Sequence, residues 1–183
     1  FSLFDPKFLE EISKMKERNF AAELLRKLIA EQVRIYQRTN AVRASKFSEI
    51  LANAMRNYLK GLLTNEEVIQ ELMKAAHEII NGEEDSKKLN LTSEELAFYD
   101  ALTQPEAVKD FYTNDQLVAI TKELTDALRE NKTIDWNVKE SARAGMRRIV
   151  KRLLKKYKYP PEGEEDALNT IMLQCNKWTE ENV

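Results

Sequence analysis

Apolar residues recur along this chain at three- and four-residue intervals, the spacing that gathers them on one stripe of an α-helix. Asp5-Pro6 reads as a cap followed by proline at the first helical position, and Phe8, Leu9, Ile12 and Met15 mark a short helix ending near Arg18. From Phe20, the residues Leu24, Leu25, Leu28, Ile29, Val33 and Tyr36 keep the period to about Gln37, where Thr39-Asn40 breaks it. A third run on Phe47, Ile50, Leu51, Ala54, Met55, Tyr58 and Leu62 reaches Leu63. Thr64-Asn65-Glu66-Glu67 is a capping box that opens a fourth helix through Ile80, and Asn81-Gly82 stops it.

Gly82 to Asn90 places Glu83, Glu84 and Asp85 before Lys87 and Lys88 with no apolar period, which predicts a linker over residues 82–90. It would divide a helical spacer subdomain, 1–81, from a C-terminal helical subdomain, 91–183. In the second part Thr92-Ser93-Glu94-Glu95 is another capping box, for a helix to about Leu102, and Asn114-Asp115 begins one through Arg129. Pro105 to Tyr112 has no clear assignment. A basic helix over about residues 137–158 follows, opened by Asp135 and closed by Pro160-Pro161. Glu162 to Asp166 then forms an acidic turn before a last helix on Ala167, Ile171, Met172, Cys175 and Trp178.

Composition sharpens this picture. Four Gly and four Pro in 183 residues are few, and with 43% apolar and 33% charged residues they point to an all-α chain in two packed helical subdomains with no sheet. A single cysteine cannot form an internal disulfide, and no stretch is apolar enough for a signal or membrane-spanning segment. A reducing, cytoplasmic setting without membrane contact is therefore the expectation.

The net charge of −2 conceals a segregation. Lys139 to Lys158 holds nine basic residues against Glu140, or +8, while the rest of Thr92 to Val183 carries five basic and sixteen acidic residues, or −11. Within the basic helix Ala142, Met146, Ile149, Val150, Leu153 and Tyr157 form an apolar stripe. Arg143, Arg147, Lys151 and Lys155 stack in one column and Arg148, Arg152 and Lys156 in a second, because residues four apart are neighbours along a helix.

Catalytic chemistry has little to work with. His77 is the only histidine, so metal sites built from several histidines are excluded, and its surroundings read as helix surface. Cys175 has no neighbouring His or Lys to activate it and reads as an inert apolar position. Neither a GxxxxGK[ST] phosphate loop nor a GxGxxG turn occurs, and adjacent acids such as Glu94-Glu95 are explained by capping. No catalytic, cofactor-binding or metal-binding residue is assigned within this chain.

The run DWNVKESARAGMRRIVKRLLKKYKYPP, from Asp135 to Pro161, combines an Asp-Trp opening, an Arg-Ala-x-Met-Arg core, a Val-Lys-Arg-Leu-Leu run and a Tyr-Pro-Pro stop. It resembles the C-terminal region of the R, or motor and restriction, subunit of type I restriction-modification enzymes. LTSEELAFYDAL at Leu91 to Leu102, the Asp5 to Arg34 segment and KFSEILANAMRNY at Lys46 to Tyr58 are similar to the family's helical region, so the likeness covers most of the chain. The resemblance implies excision from a larger polypeptide. Its ATP-driven DNA translocase and metal-dependent nuclease would lie elsewhere, so ATP and Mg belong to the parent subunit and no cofactor to this fragment. The fragment would be a non-catalytic assembly module that docks the subunit onto the methyltransferase, or modification, subunits and meets the motor domains of its own chain. A DNA-backbone-contacting element of the motor, or a general helical scaffold, is the alternative.

Three readings of the basic helix stay open: a strut whose cations pair with acidic neighbours, an interface onto an acidic protein surface, or a track for DNA phosphates. Trp136 beside Asp135 is either a hydrophobic anchor at the start of the helix or a subunit hot spot. The partner- or DNA-binding candidates are therefore Asp135, Trp136, Arg143, Arg147, Arg148, Lys151, Arg152, Lys155 and Lys156.

Overall fold

In the computed structural model, residues 5–132 and 139–181 are described, without the side chains of 106, 107 and 178–181. Among the described residues the ordered elements are all helices: α1 (Pro6–Ser13), α2 (Arg18–Thr39), α3 (Ala41–Leu59), α4 (Asn65–Leu89), α5 (Ser93–Thr103), α6 (Glu106–Phe111), α7 (Asn114–Asn131), α8 (Glu140–Lys156) and α9 (Pro161–Glu181). The caps are those that the local chemistry demands. The Asp5 carboxylate accepts from the Lys7 amide at 3.0 Å with Pro6 in the first turn. Reciprocal capping boxes join Thr64 to Glu67, Thr92 to Glu95 and Thr113 to Gln116.

The chain divides into two units. The first comprises Phe1–Gln37 and Arg43–Lys88. Its core is built from α1 to α4, with Leu9, Ile12, Leu25, Ile29, Leu72 and Ile79 buried and the rings of Tyr36 and Phe47 stacked 6.0 Å apart. α3 stops in a Schellman turn: Gly61 takes φ 75, its amide reaches the Tyr58 carbonyl at 3.1 Å, and the Leu62 amide reaches Asn57 at 2.9 Å.

The linker expected over 82–90 is not a linker up to Leu89, because α4 runs through Gly82 to that residue. The cause is polar rather than apolar. Glu83 accepts from the Tyr36 hydroxyl at 2.7 Å and from Arg43 at 3.2 Å, while Arg43 also reaches Ser86 at 2.7 Å and Ser86 donates to the Gly82 carbonyl. Burial and the Glu83 carboxylate together push the Tyr36 hydroxyl far above its ordinary pKa, so it stays a donor. These bonds hold two polar turns that have no apolar stripe to hold them.

The second unit comprises Arg38–Val42 and Leu89–Val183. The short stretch between α2 and α3 joins it through Gln174, a buried amide that donates to the Thr39 carbonyl at 2.9 Å and accepts from the Ala41 amide at 2.8 Å. Asn40 adds a bond to Asp100 at 2.7 Å. α5 packs against α7 and α9, and α8 lies against both of those helices. Phe98, Leu102, Leu128, Val150, Ile171 and Cys175 are fully buried among them. α9 begins at Pro161, so the acidic residues expected in a turn form its first helical turns, where carboxylates suit the dipole. Gly163 is needed there, since a Cβ would sit 2.9 Å from the Pro105 ring.

Candidate functional site: the basic helix

α8 occupies Glu140–Lys156, shorter at its far end than the predicted 137–158; positions 137 and 138 lie outside the described residues. Asp135 and Trp136, candidates at its start, also lie outside them. The prolines do not end this helix. Lys158 adopts φ 56, its amide reaches Lys155 at 3.1 Å and the Tyr159 amide reaches Leu154 at 2.8 Å, a Schellman ending built on lysine.

The far end is then locked by aromatic residues. Tyr112 donates to the Tyr157 carbonyl at 2.5 Å, and the buried Tyr159 donates to the Leu102 carbonyl at 2.6 Å. Burial raises the pKa of both hydroxyls, which keeps them protonated donors. Tyr157 turns its own hydroxyl to Glu123.

The inner face of α8 buries Met146, Val150, Leu153 and Leu154, with Ala142, Ile149 and Tyr157 partly buried against the same core. Six of these seven form the apolar stripe legible in the sequence; Leu154 was missed because it follows Leu153 directly and so sits off the simple period. Arg143, Arg147, Arg148, Lys151, Arg152, Lys155 and Lys156 are all exposed. Among the described residues, Lys156 alone of the seven forms an ion pair, with Glu123 at 2.6 Å. Glu123 carried no signal in the sequence, since an isolated acid on a neighbouring helix looks like any surface residue.

A strut of the kind expected would spend most of its cations on acidic neighbours. Here six of seven are exposed and pair with no acid among the described residues. No large apolar side chain stands exposed beside them on α8, for those of the described residues are Phe20, Ile35, Leu59, Leu62, Phe111 and Leu173.

Three of these apolar residues gather at one end of the first unit. Tyr58 donates to Asn19, next to Phe20, at 3.4 Å, and also to Asn65 at the start of α4. That brings the first turn of α2 beside the end of α3, where Leu59 and Leu62 are 81% and 68% exposed and Phe20 is 58% exposed. Arg18 closes the same end by gripping Glu66 with two nitrogens, at 2.9 and 2.6 Å. The periodicity of the sequence assigned Leu62 to the core. The Schellman turn at Gly61 places it outside.

No group of three or more His, Cys, Asp or Glu that could hold a metal ion occurs among the described residues, and no helix is long and apolar enough to cross a membrane. His77 is exposed on α4, while Cys175 is buried and its thiol is pushed up to about 12 by that burial.

The described residues thus carry two features of opposite chemistry: exposed Phe20, Leu59 and Leu62 in the first unit, and an exposed cationic face on α8 in the second. The chain belongs to the family described as type I restriction enzyme HindI endonuclease subunit-like, C-terminal, whose model matches residues 1–181. It is 34% identical over 180 residues to the type I restriction enzyme HindI endonuclease subunit of Haemophilus influenzae, a match covering 98% of this chain and 17% of that protein. It is 31% identical over 156 residues to a protein of Methanocaldococcus jannaschii named as the type I restriction enzyme MjaIXP endonuclease subunit, covering 85% of this chain and 15% of the relative. The chain thus spans about a sixth of the length of these relatives. No solved structure matches it.

Proposed function

We propose that this chain is the helical, non-catalytic assembly module of a type I restriction endonuclease subunit, joining its motor and nuclease parts to the methyltransferase subunits. In the whole subunit ATP-driven translocation and Mg-dependent DNA cleavage belong to other regions. The observation that carries the reading is the apolar end of the first unit. Phe20, Leu59 and Leu62 are exposed at the start of α2 and at and just beyond the end of α3, where a monomer gains nothing from them and a protein partner gains a hydrophobic centre. A polar rim, with Arg18 and Glu66 paired, completes the usual anatomy of such a contact.

The test replaces Phe20, Leu59 and Leu62 with Ser in the full-length subunit and measures co-purification with the methyltransferase subunits. Since exposed side chains contribute little to folding, thermal unfolding should stay within the effect of about 0.5 kcal/mol per site, while assembly weakens at least tenfold. Assembly at the unchanged affinity would overturn the reading. So would a variant whose melting collapses while assembly persists, because the three residues would then pack on the rest of their own polypeptide.

A further inference from the structure

The apolar end leaves the cationic face of α8 without a role. We infer that this face binds the phosphate backbone of double-stranded nucleic acid, following charge and reading no bases. The first argument is what the cations lack. Arg143, Arg147, Arg148, Lys151, Arg152 and Lys155 are exposed and have no ion-pair partner among the described residues, so none of the described acids takes up their charge.

The second argument decides between a nucleic acid and an acidic protein. Protein interfaces concentrate their affinity in a well-packed, largely apolar centre, where even an arginine hot spot is surrounded by packed side chains. The outer face of α8 exposes no large apolar side chain and is cationic along its length, with six cations that pair with no acid among the described residues. A phosphate backbone asks for neither apolar centre nor fixed pairing, only for a stiff row of cations.

The row has suitable dimensions. Residues four apart rise about 6 Å along a helix, so the column from Arg143 to Lys155 covers roughly 18 Å. A duplex presents about one phosphate charge per 1.7 Å of its axis, or on the order of ten along that length. The row is also held stiffly: Met146, Val150, Leu153 and Leu154 anchor its inner side, and Tyr112 binds its far end. The overall charge of −2 does not forbid the contact, because at physiological salt a charge is felt over only about 8 Å.

The experiment measures binding of the 183-residue chain to a DNA duplex of arbitrary sequence, by fluorescence anisotropy across a salt series. Three proteins are compared. One is the native chain, the second has Arg147→Glu, Lys151→Glu and Lys155→Glu, and the third has Lys74→Glu, Lys87→Glu and Lys88→Glu, which changes net charge equally on another helix. Native binding should weaken linearly with log salt, with a slope of at most about five for six phosphate contacts, and should not depend on duplex sequence. The α8 variant should lose at least tenfold in affinity and about three units of slope, with the α4 control close to native. If the α8 reversal fails to fold, Arg147→Gln, Lys151→Gln and Lys155→Gln provide the same comparison.

Undetectable native binding at low salt, or equal loss in the α8 and α4 variants, would overturn the inference. Competition by polyglutamate at DNA-like charge concentrations would also overturn it, since an acidic protein surface would then serve as well as phosphate. The outcome is separable from the assembly reading. The α8 variants should assemble normally, and the Phe20, Leu59 and Leu62 variants should bind DNA normally.

Discussion

Lys158 sits where glycine belongs. At φ 56 its Cβ crowds the following carbonyl, a strain of roughly 1–2 kcal/mol that glycine escapes, though glycine gives back about 0.5–1 kcal/mol in chain entropy. The exposed Lys158→Gly variant should therefore be more stable by about 0.5 kcal/mol and melt one or two degrees higher. A thermal melt at or below the native midpoint would show that the strain is already relieved. This ending was not legible in the sequence, because lysine carries no turn signal and the prolines that follow offered a simpler stop. Where the residue itself states the geometry, as at Asp5-Pro6 or Thr92 with Glu95, sequence and structure agree to the residue. Cys175 shows the same directness: the sequence reads it as an inert apolar position of the last helix, and burial raises the pKa of its thiol, which keeps it protonated.

At the scale of elements, periodicity found the long helices that an apolar stripe holds, left the six-residue α6 unassigned because it is too short to show a period, and failed where side-chain hydrogen bonds hold the chain. α4 past Gly82 is such a case. Arg43, 13% exposed, lies 40 residues upstream of Glu83, too far for any local rule to connect them. The same network governs protease sensitivity. Lys87 and Lys88 are exposed but helical, and a protease needs the helix end to open first. Arg43→Ala removes the bonds to Glu83 and Ser86, which should lower the opening cost by about 1–2 kcal/mol and speed first trypsin cleavage at Lys87 or Lys88 on the order of tenfold. Mass spectrometry of the earliest fragments measures this. Unchanged cleavage there would mean that Tyr36 and Ser86 hold the last turns of α4 without the arginine.

Across the whole molecule the legible part of the candidate site was its charge, and the illegible part its pairing. Helical spacing alone sets seven cations on one side of α8, but which of them meet an acid depends on the packing of α7, and among the described residues only Lys156 does. The apolar end was hidden for a related reason, since Leu62 looks like a core residue until Gly61 turns the chain. Segregated, unpaired charge has a consequence that needs no biological partner. A protein with net charge −2 and pI near 5.7 should pass through a sulfonate cation exchanger at pH 7 if its surface were evenly charged. At about 0.05 M salt the screening length lies between roughly 10 and 30 Å, short enough for a patch to act apart from the rest of the surface. The native chain should therefore be retained and elute with added salt. Arg147→Gln, Lys151→Gln and Lys155→Gln should move elution markedly earlier or into the flow-through. Neutralising Lys74, Lys87 and Lys88 in the same way should barely move it, because those cations do not share the α8 column. Flow-through of the native chain would mean that the acidic excess elsewhere in Thr92 to Val183 masks the helix in solution, and no polyanion of any kind should then be expected to find it.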